Sequence, residues 1–232
     1  MSISSVDWPT PGPIEGVIFD IHSTLVDQGN ADQWLDGALA VQQHALSPAE
    51  RSDLVAFLDR IWEGARISDP HSSRDLSFAD HSRVFHELIA AGPGVDRALA
   101  NALYDVMLDS WHAYDDTVPT LRMLREAGVG VCLLSNAGVP IRTVLDRDGI
   151  TPWVDAVVLS YEVGAVKPDH RIFKAALDAL ALPADRVLMV GDNANDDGGG
   201  ASMGLRTLIL PRTNGPIHGL DAVTALVLGL RA

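Results

Sequence analysis

Short apolar runs, each ending in a polar residue and each followed by a helical pattern, limit what this chain can fold into. Val17-Ile-Phe19 leads into Asp20, Val129-Gly-Val-Cys-Leu-Leu134 into Ser135-Asn136, and Val187-Leu-Met-Val190 into Gly191-Asp192. Segments 154–159 and 206–210 have the same character. Runs this short and this apolar read as strands buried on both faces. Helical patterns separate them over 118–127, 139–148, 169–181, 196–203 and 219–229. The alternation predicts an α/β fold with a parallel sheet covered by helices on both sides. In such sheets the groups that handle ligands gather at the carboxyl ends of the strands. Asp20 and Asp197 are 177 positions apart, yet this topology brings them together.

Between Gln28 and Trp111 the pattern changes. Stretches rich in Ala, Leu, Asp and Arg predict helices over 31–45, 48–64, 78–91 and 95–112. Ser47 followed by Pro48 is a favourable helix opening, a side-chain acceptor ahead of a residue with no N–H to satisfy. The expected organisation is therefore an α/β core from 14–27 and 113–232, interrupted by an all-helical insertion over 28–112.

Composition removes several classes of function. Thirty-one Asp and Glu face 17 Lys and Arg, for a formal net charge of −14, and the basic residues are scattered singly. Binding to nucleic acid through phosphate contacts is not expected. Cys132 is the only cysteine and lies inside an apolar run, which argues against disulfides and thiolate metal sites and fits a reducing cytoplasm. No segment is apolar over a membrane-spanning length. Residues 1–13 are polar and proline-rich and carry no signal-peptide pattern.

The strand-end residues describe one chemistry. Asp20 can attack an electrophilic centre if a cation offsets its repulsion for an anionic substrate. Asp192 and Asp197, the latter directly or through water, together with Asp20 and a main-chain carbonyl in the loop after it, make an oxygen donor set of the kind magnesium prefers. Ser135 adds a hydroxyl, and the amides of Asn136 and Ala137 lie ahead of a predicted helix whose N-terminal end favours anions. Lys167 adds a mobile positive charge, with Pro168 setting the turn after it. Thr24 is placed to hold the loop that carries Asp20. Magnesium and Lys167 together turn a repulsive acidic pocket into a phosphate clamp.

Asp20-Ile-His-Ser-Thr24, Ser135, Lys167 and Gly191-Asp-Asn-Ala-Asn-Asp-Asp197, in this order and each near a predicted strand end, resemble the haloacid dehalogenase superfamily. The resemblance runs from Ile14 to the C-terminus and is strongest to the phosphatase-like members, which have a Rossmann-like core and a helical cap inserted after the first strand. It implies Asp20 as nucleophile, Lys167 as the lysine of the clamp, Ser135 and Asn136 as substrate contacts, and Mg2+ held by Asp20, Asp192, Asp197 and the carbonyl of His22. Family phosphatases usually carry an aspartate two residues after the nucleophile, acting as acid and then base; His22 stands there, and Ser23 replaces the following glycine. An imidazole can in principle do the same work. The expected activity is hydrolysis of a small phosphorylated metabolite by a cytoplasmic monomer or homodimer. The rival activities are carbon–halogen hydrolysis and non-catalytic binding of a phosphometabolite or protein partner on the same scaffold. The imine chemistry of phosphonate-cleaving relatives needs a cap lysine, and the chain has only Lys167 and Lys174.

The cap offers His71, Arg74, His81, Arg83 and His86 as candidates for substrate selection, Arg74 first among them. Trp34, Trp62 and Trp111 are expected to pack helices or line the seam between cap and core.

Overall fold

The computed structural model describes residues 12–42 and 45–229. Residues 1–11, to which the signal-peptide reading applies, and 43–44, within the first predicted helix, lie outside that range. In chain order the strands are β1 (Gly16–Phe19), β2 (Val26–Asp27), β3 (His112–Ala113), β4 (Gly130–Ser135), β5 (Ala156–Leu159), β6 (Val187–Gly191) and β7 (Arg206–Ile209). The helices between β2 and β3 are α1 (Ala31–Gln42), α2 (Pro48–Leu58), α3 (Ile61–Ser68), α4 (Phe78–Ala90) and α5 (Arg97–Asp105). Those that follow are α6 (Thr117–Glu126), α7 (Arg142–Arg147), α8 (Ser160–Val163), α9 (His170–Leu180), α10 (Ala194–Asp197) and α11 (Asp221–Leu228).

Five strands form one parallel sheet in the order β5-β4-β1-β6-β7. Successive side chains of a strand point to opposite faces, and the apolar runs divide accordingly. Val17, Phe19, Val131, Leu133, Leu188 and Val190 join the larger core, which extends into the helical insertion. Ile18, Cys132, Leu134 and Met189 face the other way and meet Ile172, Phe173 and Ala176 of α9. Burial pushes the Cys132 thiol up to about 12, which leaves it an inert core residue.

The chain runs β1, β4, β5 to one side of β1 and then crosses to β6 and β7 on the other. Phe19 pairs with Leu133 of β4 and with Val190 of β6, so the residues after these three strands emerge side by side at the point where the strand order reverses. Neighbouring strands are about 4.8 Å apart, which sets the reach of Asp20 to its partners.

The insertion is joined to the core by a two-stranded antiparallel ribbon, Val26 opposite Ala113 and Asp27 opposite His112, which the sequence pattern does not show. The single helix expected over 48–64 is two, α2 and α3. Their buried residues Leu54, Leu58, Ile61 and Ala65 keep 3- and 4-residue spacing across the break, so periodicity cannot mark it. The helix expected over 95–112 ends at Asp105 and gives way to a 3-10 turn, Met107–Ser110, and the helix expected from 139 begins at Arg142. Ser47 caps α2 as expected, in a reciprocal capping box with Glu50. Among the described residues no helix is long and apolar enough to cross a membrane.

Candidate active site

Asp20 leaves β1 with its main-chain N–H donating to Val190 at 2.8 Å, which fixes the residue between the ends of β1 and β6. Its carboxylate is 5% exposed and has two partners: Lys167 Nζ donates to Oδ1 at 2.6 Å and Thr24 Oγ1 donates to Oδ2 at 3.2 Å. The loop between them folds on itself, with the Leu25 and Val26 amides both donating to the Ile21 carbonyl. Ser23 has φ of 68°, a left-handed conformation that costs a non-glycine residue roughly 1–2 kcal/mol.

Lys167 is 3% exposed and also donates to Asp197 Oδ1 at 2.7 Å. Asp197 is fully buried, and its Oδ2 accepts the Asn193 N–H at 2.9 Å. One carboxylate oxygen from each of Asp20, Asp192 and Asp197 can be chosen so that all lie within 4.8 Å of one another. Asp192 makes no hydrogen bond to another side chain among the described residues, so its oxygens are the uncommitted ones. Burial pushes the Asp20 carboxyl up to about 7, against the pull of Lys167, and Asp197 and Asp192 add to the rise. Burial also opposes the charge on Lys167, but Asp197 and Asp20 outweigh it and hold the ammonium firmly protonated. With all three carboxylates ionised, the set carries two more negative charges than Lys167 balances. Hard oxygen donors with that excess charge fit a divalent cation such as magnesium. The His22 carbonyl accepts no hydrogen bond among the described residues and is also available as a donor.

Two expected substrate contacts have other duties. Asn136 grips the backbone of Lys167 from both sides, its Oδ1 accepting the Lys167 N–H at 2.7 Å and its Nδ2 donating to the Lys167 carbonyl at 3.2 Å. It positions the lysine, and its side chain has little left for a ligand. The Ala137 amide, expected to face an anion, donates to Ser160 Oγ at 3.0 Å, and α7 starts too far on for its N-terminus to act at this point. Ser160 Oγ in turn donates to the Asp75 carbonyl, so a single hydroxyl ties the core to the insertion. Ser135 is 3% exposed, makes no side-chain hydrogen bond among the described residues and lines the cavity with its hydroxyl available.

The cavity has a volume of about 90 Å3. Arg74 is on its wall, but the guanidinium is buried and turned into the insertion. Nη1 donates to the Asp69 carbonyl at 3.0 Å and meets Asp69 Oδ2 at 3.4 Å, while Nη2 lies 3.5 Å from Asp75 Oδ2. Arg74 thus lines the cavity, as expected of a selecting residue, with its guanidinium shared between Asp69 and Asp75. His81 is also on the wall, stacked on Phe85 at 4.3 Å with Nδ1 3.0 Å from the Tyr104 hydroxyl. His71, Arg83 and His86 do not line the cavity.

His22 is held between two tryptophans. Its ring centroid is 4.5 Å from Trp111 and 4.8 Å from Trp62, and Nε2 is buried with no partner. Burial, reinforced by the positive charges of Arg212, Arg66 and Lys167, lowers its pKa to about 3. The imidazole is therefore neutral at pH 7, without the imidazolium proton that a general acid would give. The acid half of the role expected for His22 is corrected to that of a neutral wall residue with one free ring nitrogen. Trp34 packs helices, its Nε1 donating to the Leu103 carbonyl at 2.7 Å.

The sequence reading missed Arg66, Asp75 and Asp196, all of which line the cavity. Arg66 was within reach: it is four residues after Trp62, and positions i and i+4 share a helix face.

A family model for haloacid dehalogenase-like hydrolases matches residues 14–204, nearly the whole of this architecture. The chain belongs to that family. The hydrolase is 34% identical over 210 residues to (S)-2-haloacid dehalogenase 1 of Pseudomonas sp. strain CBS-3, covering 88% of this chain and 87% of that enzyme. It is 30% identical over 204 residues to the ribulose-1,5-bisphosphate 5-phosphatase of Halopiger xanaduensis, covering 83% of each. The crystal structure of the magnesium-bound HAD-hydrolase YfnB from Bacillus subtilis superposes with a TM-score of 0.70 at 18% identity, covering 93% of this chain and 99% of that one. The relatives thus include both carbon–halogen and phosphate-ester hydrolases.

Gly191 gives the hydrolase a geometric test. A Cβ there would lie 2.0 Å from Asp197 Oδ2 and 2.2 Å from its Cγ, so Gly191→Ala must push Asp197 out of its place beside Lys167. Misplacement of catalytic groups by an ångström costs on the order of 10²-fold in rate. A fall of that size in kcat, in a variant whose circular dichroism matches wild type, is expected; an unchanged kcat would remove Asp197 from the working site.

Proposed function

We propose that the hydrolase is a magnesium-dependent phosphomonoesterase that works through an aspartyl-phosphate on Asp20. The observation that carries this reading is the surplus of negative charge: three convergent carboxylates against the single ammonium of Lys167, with Asp192 uncommitted. Hydrolysis of a carbon–halogen bond by a carboxylate nucleophile requires no divalent cation, so it does not call for three convergent carboxylates. Asp20, Asp192 and the His22 carbonyl would hold the cation, with Asp197 acting directly or through water. When bound, magnesium supplies charge neutralisation and Lewis-acid polarisation of a phosphoryl oxygen.

Asp20 Oδ2, held by Thr24, attacks phosphorus, and the P–O bond to the leaving group breaks as the Asp20–phosphorus bond forms. Lys167 and the Ser135 hydroxyl stabilise the charge that builds on the phosphoryl oxygens. The departing oxygen takes its proton from solvent, because His22 is neutral. In the second half, water attacks phosphorus as the Asp20–phosphorus bond breaks and inorganic phosphate leaves, and the neutral imidazole of His22, a cavity-lining residue, can accept a hydrogen bond from that water. Without an acid for the first step, alkyl esters should turn over slowly and esters of acidic alcohols faster.

Phosphate release from a broad panel of phosphomonoesters, with magnesium and with chelator, tests the reading. Release that stops on chelation and returns with added magnesium is expected. A second reading, dehalogenation of a short 2-haloacid, is favoured by the small aromatic-walled cavity of about 90 Å3. It predicts halide release indifferent to chelator, and that result would replace the phosphatase assignment.

A further inference from the structure

The walls of the cavity differ in their electrostatic balance. On the core side the carboxylates outnumber Lys167, and the proposed cation with a phosphoryl group answers that excess. On the side of the insertion, His81 is held neutral by burial, and Arg74 is offset by Asp69 and Asp75. Arg66 is different. It reaches the cavity from α3, one turn beyond Trp62, and is exposed; its charge is felt by Asp192 and Asp196 across the cavity, but it makes no ion pair or hydrogen bond to any described residue. A planar guanidinium with five donors on the wall of a ligand cavity is suited to bidentate recognition of a carboxylate.

We infer that Arg66 binds a carboxylate on the leaving group, making the preferred substrate a phosphomonoester that carries a carboxylic acid. This rests on the phosphomonoesterase reading and adds a substrate class to it. Trp62 covers the carbon chain, and the phosphoryl end meets Ser135 and Lys167 on the core side. Arg66 thereby acts in binding, and makes no bond to the reacting phosphorus.

Binding of non-hydrolysable phosphonates, measured calorimetrically with magnesium present, separates this inference from the one beneath it. Phosphonoacetate has the added carboxylate and methylphosphonate lacks it. Wild type is expected to bind phosphonoacetate about 10- to 100-fold more tightly, the range for a charged hydrogen-bonded pair. Arg66→Met should abolish the preference, bringing phosphonoacetate to the affinity of methylphosphonate, and Arg66→Lys should keep part of it. Equal affinities in wild type, or a preference that survives in Arg66→Met, would overturn the assignment of Arg66 while leaving the phosphomonoesterase reading in place. If neither phosphonate binds, both readings fall together.

Discussion

Asp20→Asn is expected to reduce turnover by on the order of 10⁴-fold or more, the scale seen when a covalent nucleophile is removed, and to make the metal-free protein more stable. The first effect follows from chemistry: an amide cannot form the acyl-phosphate bond. The second follows from the site's electrostatics. Burial and two neighbouring carboxylates raise the folded-state pKa of Asp20 from 3.8 to about 7. A carboxyl shifted upward on folding stabilises the native state fully below its unfolded pKa, and that contribution disappears as pH rises through the folded value. At pH 8 wild type therefore carries a penalty on the order of 2–4 kcal/mol that asparagine lacks. Urea unfolding of both proteins in chelator at pH 8 and pH 4 measures it, with a gap expected at pH 8 that closes toward pH 4. Undiminished turnover in the variant would remove Asp20 as nucleophile. A variant less stable than wild type at pH 8 would show that the Lys167 pairing outweighs desolvation.

The opposite change is expected at His22. His22→Asp should raise kcat toward alkyl phosphates by about 10²-fold, the lower end of what a positioned general acid contributes. The same pocket gives the two side chains different protonation states. Desolvation between Trp62 and Trp111 strips the proton from an imidazole, whose charged form is the protonated one. It retains the proton on a carboxylic acid, whose charged form is the ionised one. An aspartic acid there would be able to donate to the leaving oxygen at pH 7, and its kcat should decline at alkaline pH as the acid ionises. Loss of the ring between two tryptophans opens a small void, with an expected cost of about 1–2 kcal/mol. Steady-state kinetics from pH 5 to 9 with an alkyl phosphate decide the matter. A well-folded His22→Asp protein with lower kcat would mean that the imidazole has a task a carboxyl cannot take over.

Local patterns explain why some elements were legible and others were not. β1, β4 and β6 are apolar on both faces, and a buried parallel strand can hardly be written otherwise. The break between α2 and α3 left no trace, because Leu54, Leu58, Ile61 and Ala65 continue one stripe through it. Asn136 and Arg74 were candidates by type and place. Their partners are Lys167, 31 residues away, and Asp69 and Asp75 in an irregular segment, and no periodicity reports such pairings.

The sequence by itself determined the family, the parallel sheet and the strand ends that deliver Asp20, Ser135 and Asp192, because burial of apolar strands and the turn after each are local properties; Lys167 and Asp197 follow or end the short helices α8 and α10. Only the tertiary structure decided how these groups are charged and which remain available. The two tryptophans that neutralise His22 come from positions 62 and 111, the carboxylates that occupy Lys167 come from 20 and 197, and Arg66 lines the cavity without an ion pair or hydrogen bond among the described residues. Desolvation and pairing depend on what the folded chain brings within a few ångströms, and spacing along the chain does not encode that.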